Sequence, residues 1–268
     1  MKKLDIAEIQ KIGVDILQYI KTVCYDNGIS MFLAYGTVLG AVRHKGFIPW
    51  DDDIDIYMFR SDYERFKQIM IRKPEDRYKL LDVQIDPDYN MPLAKVIDTS
   101  TSMDWYVAKR PYPLGVWVDI YVLDNVPDDN KELHNFQSRL NFLQNCFFRS
   151  FYKGNVNSLR SLLSWILFSW TKLFGPRYFS KRMVLLSQKY NKIGTLRVAP
   201  SSFTASSRED AVLDRSIMGK GVELPFEGVN YLVPEHTDAY LKHFYGNYME
   251  LPPEEDRISN HTADFFLI

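Results

Sequence analysis

The chain has 268 residues, 46% of them hydrophobic and 25% charged, the balance of an ordinary globular protein with room for one large domain or one domain and an appended subdomain. A net charge of −1 gives no global reason to hold nucleic acid. Two distant cysteines, Cys24 and Cys146, with no CxxC neighbour, exclude a disulfide framework or structural zinc site and fit a reducing compartment. Asp5 and Glu8 interrupt the N-terminus before any apolar h-region, and no apolar run reaches about 18 residues, so neither a signal peptide nor a spanning helix is expected.

Ile6, Ile9, Ile12, Ile16, Leu17, Ile20 and Val23 recur at spacings of three and four, which predicts an amphipathic helix over 4–24, ended by Asn27-Gly28. Residues 31–60, MFLAYGTVLGAVRHKGFIPWDDDIDIYMFR, organise the rest. They read as a short strand over 31–35, a Gly36-Thr37 turn, a short helix, a basic loop, an acidic run and a second strand. Side chains alternate along a strand, so Asp53 and Asp55 are expected on one face, about 7 Å apart, with Ile54 and Ile56 on the other. Such a pair beside a glycine turn is a natural site for Mg²⁺ carrying phosphate, because the small residue lets backbone N–H groups approach. Arg43, His44 and Lys45 lie between the turn and the acids as cations suited to phosphate oxygens.

Ser61-Asp62-Tyr63-Glu64 is a capping-box pattern for a helix to about Ile71, stopped at Lys73-Pro74. Residues 78–83 and 93–97 read as strands, and 105–108 as a further candidate. Residues 116–123 form a strongly apolar strand with one acid, Asp119, set in it. A buried carboxylate is costly unless paired or on a metal. If this strand lies beside the one bearing Asp53 and Asp55, three carboxylates converge; the alternative is a hydrogen bond from Asp119 to a neighbouring loop. Asp51 and Asp52 are ligands, orienting groups or a solvated acidic turn. Trp50 stacks on a ligand or packs under the loop, and Lys95 reaches phosphate or is an edge lysine. His44 is read as a phosphate contact rather than a zinc ligand, and His261 as exposed.

From Asn130 to about Leu196 the pattern is helical, with Leu133, Phe136, Leu140, Leu143 and Phe147 at helical spacing. Residues 159–174, LRSLLSWILFSWTKLF, read as a buried helix or as one lying in a membrane interface. In the second case Trp165, Trp170 and Phe174 sit at headgroup depth and Arg160, Lys172 and Arg177 meet lipid phosphates. A helix of ~24 Å falls short of a ~30 Å hydrocarbon core. Residues 200–207 read as a loop, 224–228 as a turn before a strand over 229–233, and Thr237 as the cap of a helix through Phe244, closed by Gly246-Asn247. The expected fold is mixed α/β (α+β). Its parts are a sheet core with flanking helices over 1–128, a helical subdomain over 129–200, and a C-terminal segment over 201–268 packing back on the core.

Strand, Gly-[Ser/Thr], short helix, Dh[DE] strand and a later strand acid together resemble the nucleotidyltransferase superfamily. That resemblance implies a mixed β-sheet core and up to two Mg²⁺ on a nucleotide's phosphates, although the interval from Thr37 to Asp53 is longer than in the general motif. At a narrower level, AYGTVLGAVRHKGFIPWDDDIDI at 34–56 is similar to the signature of the LicD family of phosphocholine transferases, shared with fukutin and fukutin-related protein. VDIYVLD at 118–124 resembles the family block VDIFPLD, with Tyr121 and Val122 in place of Phe and Pro. LPFEG at 224–228, Val233-Pro234, and the stretch from Tyr245 through Pro253 resemble the C-terminal blocks, so Glu227 falls in a family block; 130–200 carries no motif.

The resemblance implies transfer of phosphocholine or a similar phospho-alcohol from a CDP-activated donor to a hydroxyl of a cell-surface glycan or its lipid-linked oligosaccharide precursor, releasing CMP. The setting it implies is cytoplasmic or peripheral at the inner face of the membrane. Expected roles are Mg²⁺ or Mn²⁺ on Asp53, Asp55 and Asp119, with Asp51 a further ligand. Gly36, Thr37, Arg43, Lys45 and Trp50 would bind the donor, and Asp119 would also take the acceptor's proton. The alternatives are nucleotidyl transfer to RNA or a small molecule, and a non-catalytic glycan- or nucleotide-binding module. Without a basic stripe interleaved with aromatics, RNA is disfavoured.

Overall fold

The structure, a computed structural model, describes residues 1–105, 114–151, 169–200, 211–257 and 263–268. The strands are β1 (Lys2–Lys3), β2 (Phe32–Leu33), β3 (Asp55–Phe59), β4 (Tyr78–Leu81), β5 (Ala94–Asp98), β6 (Thr101–Trp105), β7 (Trp117–Val126), β8 (Arg197–Pro200), β9 (Leu213–Asp214), β10 (Val222–Phe226), β11 (Val229–Val233) and β12 (Ala263–Leu267). The helices are α1 (Ile6–Asp26), α2 (Tyr35–His44), α3 (Arg60–Arg72), α4 (Asn130–Phe151), α5 (Thr171–Ser187), α6 (Arg215–Met218) and α7 (Thr237–Tyr245). The fold is mixed α/β, and the chain divides into two compact units. One holds residues 1–81, 94–123 and 214–268; the other holds 82–93 and 124–213.

The first unit is built on a mixed sheet of order β10-β11-β2-β3-β7-β5-β4. Its centre is the parallel pair β3–β7, with β2 antiparallel to β3 and β5 antiparallel to β7. Ile56, Met58, Val118, Ile120 and Val122 are buried there, as the near-continuous apolar run of an interior strand requires. The helix α1 starts at a reciprocal cap. The Asp5 carboxylate accepts the Glu8 N–H at 2.8 Å, and the Glu8 carboxylate accepts the Asp5 N–H at 3.1 Å. Its stripe Ile9, Ile16, Leu17, Ile20 and Cys24 is buried, and Asn27 follows its last turn. A smaller antiparallel sheet has the order β1-β12-β6.

Several local expectations are corrected. Gly36-Thr37 is not a turn but the first turn of α2. The Ser61–Glu64 box does not cap α3: Phe59 holds the N-cap position without a side-chain bond, and Glu64 instead pairs with Arg60 and Lys67. Thr237 is the first residue of α7 and donates to the Pro234 carbonyl at 2.6 Å; His236 holds the cap position. Residues 224–226 belong to β10. The turn to β11 is Glu227-Gly228, both at positive φ (49° and 78°), a two-residue loop whose twist matches the flanking strands.

The second unit packs around Leu133, Phe136, Leu140 and Phe147 of α4 and Phe179 and Met183 of α5. The helix α5 bends at Gly175 (φ 71°), next to Pro176. Residues 152–168, which hold most of the proposed interface helix, and His261 lie outside the described residues.

Candidate active site

Strand register sets the centre of the site. Asp55 of β3 is paired with Asp119 of β7, and Asp119 with Lys95 of β5, so three ionisable residues lie side by side across three strands. The Asp119 N–H donates to the Ile54 carbonyl at 2.9 Å, which fixes the register. One carboxylate oxygen of Asp119 pairs with the Lys95 ammonium; the other accepts the Trp117 indole N–H at 2.9 Å. The Lys95 ammonium also lies 4.3 Å from the centre of the Trp117 ring. Asp119 is thus held by its own and the neighbouring strand, not by a loop. Lys95 is a buried residue on an interior strand, which corrects its reading as an edge lysine.

Asp51, Asp52 and Asp53 crowd in just before β3. Each offers a carboxylate oxygen, and these oxygens lie within 4.8 Å of one another. The Asp51 N–H donates to the Ile48 carbonyl, and the Asp51 carbonyl accepts from Gln10 at 2.7 Å, which holds the run as a turn. Asp53 therefore precedes the strand, and strand alternation is not what sets its relation to Asp55.

The acids act on one another as a crowded anionic cluster. Desolvation, then the charges of Asp53 and Asp51, push Asp52 up to about 7. Asp53, exposed as a residue, is pushed up to about 6 by desolvation of its carboxylate and by Asp119 and Asp51. Asp55 is raised well above the usual range by desolvation first, then by Asp119, Asp53 and Asp51, with Lys95 opposing. Hard oxygen donors that repel one another, without thiolate or imidazole among them, suit Mg²⁺ or Mn²⁺. The donor set thus fits a divalent ion, with Asp51, Asp52, Asp53 and Asp55 as the residues able to hold it.

The loop before the acids is fixed from outside. A Cβ on Gly36 would lie 3.1 Å from an Asp51 carboxylate oxygen, so a side chain there would displace that carboxylate by a few tenths of an ångström. The Thr37 hydroxyl accepts the Asp55 N–H at 2.9 Å, tying α2 to β3, while the Thr37 N–H goes to the Ala34 carbonyl at 3.0 Å. Thr37 thus supports Asp55, and its N–H is already engaged within the chain. Arg43 points its guanidinium at the Tyr248 and Glu250 carbonyls, at 3.1 and 3.4 Å, and so holds the C-terminal segment. Lys45 has φ 59° and an exposed side chain; its carbonyl accepts the Glu227 N–H at 3.0 Å. Trp50 faces the Arg257 guanidinium at 5.8 Å. His44 is exposed.

Two groups of residues were not legible as part of the site. Glu227 accepts the Phe47 N–H at 3.1 Å, and a Cβ on Gly46 would meet its carboxylate at 2.1 Å, so the β10–β11 turn clamps loop 45–47. An aromatic group also borders the acids. Tyr35 packs on Tyr121, Phe244 and Tyr57 at ring-centre distances of 4.9, 5.2 and 5.3 Å. Tyr121 shares the face of Asp119, two residues on, and its phenol is raised by desolvation and then by the charges of Asp55 and Asp119. Tyr35 carries φ 45°, and its N–H donates to the Tyr240 hydroxyl at 2.8 Å. The alternation that puts Trp117 and Tyr121 on the Asp119 face was present in the sequence.

Residues 28–108 match the family model described as the LicD/FKTN/FKRP nucleotidyltransferase domain. The chain is 28% identical to the lipopolysaccharide cholinephosphotransferase LicD of Haemophilus influenzae over 279 aligned positions that cover all of both chains. It is also 30% identical over 102 residues to an uncharacterised protein of Rickettsia prowazekii, covering 38% of this chain and 35% of that one. With an uncharacterised protein of Rickettsia typhi the identity is 43% over 54 residues, 20% of this chain and 18% of the other.

Proposed function

The chain carries a LicD-family nucleotidyltransferase domain, and from that premise we propose that it transfers phosphocholine, or a close phospho-alcohol, from a CDP-activated donor to a hydroxyl of lipopolysaccharide or a related surface glycan. In that reaction an acceptor oxygen forms a bond to the donor's outer phosphorus. The bond from that phosphorus to the CMP oxygen breaks, the hydroxyl proton is lost and CMP leaves. A divalent ion on Asp51, Asp52, Asp53 and Asp55 supplies positive charge for the phosphate oxygens when bound.

The protein's own groups orient and hold charge. Lys95 and the Trp117 N–H hold the Asp119 carboxylate in place beside Asp55. With both of its oxygens accepting bonds, Asp119 serves as an anchor; it takes the acceptor proton only if one of these bonds opens. Thr37, through the Asp55 N–H, and Glu227, through loop 45–47, hold the acidic run in place. The Tyr35, Tyr121 and Phe244 rings next to the acids are aromatic groups of the kind that recognise a quaternary ammonium, in keeping with a choline donor.

The observation that carries this reading is the in-register row Lys95–Asp119–Asp55 beside the crowded Asp51–Asp53 run. The test is CMP release by purified protein with Mg²⁺, a glycan acceptor, and CDP-choline, CDP-ethanolamine, CDP-glycerol or CDP-ribitol in turn. CMP release that depends on acceptor and is fastest with CDP-choline is expected. Pyrophosphate release from a nucleoside triphosphate, with none of CMP, would replace this reading by nucleotidyl transfer.

A further inference from the structure

The net charge of −1 conceals a strong segregation. Residues 133–208 contain no Asp or Glu and 12 Lys or Arg. A basic tract of that length within a near-neutral chain points to a polyanionic partner. Acids just before it are engaged locally: Asp128 accepts the Leu196 N–H, Asp129 the Glu132 N–H, and Glu132 the Tyr190 hydroxyl.

The second unit shows what kind of polyanion fits. At the start of α5 the large apolar side chains face solvent. Leu173 is 85% exposed, Phe174 51% and Tyr178 43%. Trp170, Phe174 and Tyr178 stand in file, with ring centres 5.9 and 4.9 Å apart, over the buried ring of Phe179. Cations accompany them: Lys172, Lys181 and Arg182 lie within this stretch, while Arg177 donates inward to the Asp86 carbonyl at 3.1 Å. Further along, α4 and α5 enclose a groove of about 620 Å³ lined by Phe142, Leu143 and Leu185, with Arg139 and Arg182 at its sides. Leu185 is itself 56% exposed.

We propose that this face of α5, with the groove it forms against α4, docks on an anionic phospholipid surface. Aromatic and aliphatic groups beside lysine and arginine, without acids, are what the headgroup–acyl boundary accepts: rings and leucines enter the acyl edge while the cations stay at the phosphates. A nucleic acid would use the cations and leave Leu173 and Leu185 in water. Among the described residues no helix is long and apolar enough to cross a membrane. The inference stands apart from the transfer reaction, because none of its residues belongs to the site around Asp55.

The test is co-sedimentation of the full chain with vesicles of phosphatidylcholine alone and of equal parts phosphatidylcholine and phosphatidylglycerol. Binding to the anionic vesicles and not to the neutral ones is expected, weakened by salt. Lys181→Gln with Arg182→Gln should lower apparent affinity by about 25-fold, from roughly five-fold per cation removed. Leu173→Ser with Leu185→Ser should also abolish sedimentation, with circular dichroism and Tm unchanged, since both side chains are mostly exposed. Equal binding to both vesicle types, no binding to either, unchanged binding by either double variant, or retention of a DNA duplex without vesicle binding overturns the proposal.

Discussion

Asp119 and Asp98 are both buried acids in apolar strands, yet they do different work. Asp98 accepts from Arg77 at 2.9 Å and from the Ser100 N–H and hydroxyl at 2.9 and 2.6 Å, so it closes a turn. Asp119 faces other acids and one lysine. Replacing Lys95 by Ala leaves a buried carboxylate without its cation, and a loss of about 3–5 kcal/mol in urea unfolding is expected. Removing both charges, as Lys95→Met with Asp119→Leu, should recover most of that stability while transfer stays absent. The raised carboxylates give a pH dependence of definite sign. Asp52 at about 7 and Asp53 at about 6, against an ordinary value of 3.8, mean that the folded state binds protons more tightly than the unfolded chain. Without divalent ions, stability should therefore fall as pH rises from about 4 to about 7. Tm measured in EDTA across that range should show the fall, and Asp52→Asn with Asp53→Asn should make it shallower, Asp55 keeping the remainder.

At the scale of elements, the acids depend on two pieces far away in sequence. The β10–β11 turn clamps the loop through Glu227, and α2 ties to β3 through Thr37. Glu227→Ala exposes the Phe47 N–H to loss of its acceptor; about 1–3 kcal/mol of stability and most of the transfer rate should go with it, read by unfolding and CMP release. Gly46→Ala should cost no more than Glu227→Ala, since its Cβ meets only the end of that flexible side chain and displaces the same carboxylate. In the helical unit, Phe136 of α4 is buried in the core, and Phe136→Ala should cost about 3–5 kcal/mol. Its helical spacing announced that burial. The cap of α3 was misread because Phe59 leads directly from strand into helix, leaving Ser61 inside the first turn.

At the scale of the whole chain, a bound ion should raise stability by mass action. The acids all lie in the unit formed by 1–81, 94–123 and 214–268. A Mg²⁺ concentration about a hundred times its Kd should add about 2.7 kcal/mol to the unfolding free energy, read as a rise in Tm over the EDTA-treated protein. Asp53→Asn with Asp55→Asn should remove the shift and the activity together, with the fold kept. The strands around Asp55 and Asp119, the helices α1, α4 and α5, and the acids at 51–55 and 119 were readable in the chain, because strand and helix periods and the cost of burying charge are local or compositional facts. Strand register, the pairing of Lys95 with Asp119, the diversion of Arg43 to the Tyr248 and Glu250 carbonyls, and the clamp of Glu227 on Phe47 were decided only by the tertiary structure. These contacts join residues from 24 to 207 positions apart, and no local pattern encodes which distant partner satisfies a given buried charge or loop N–H.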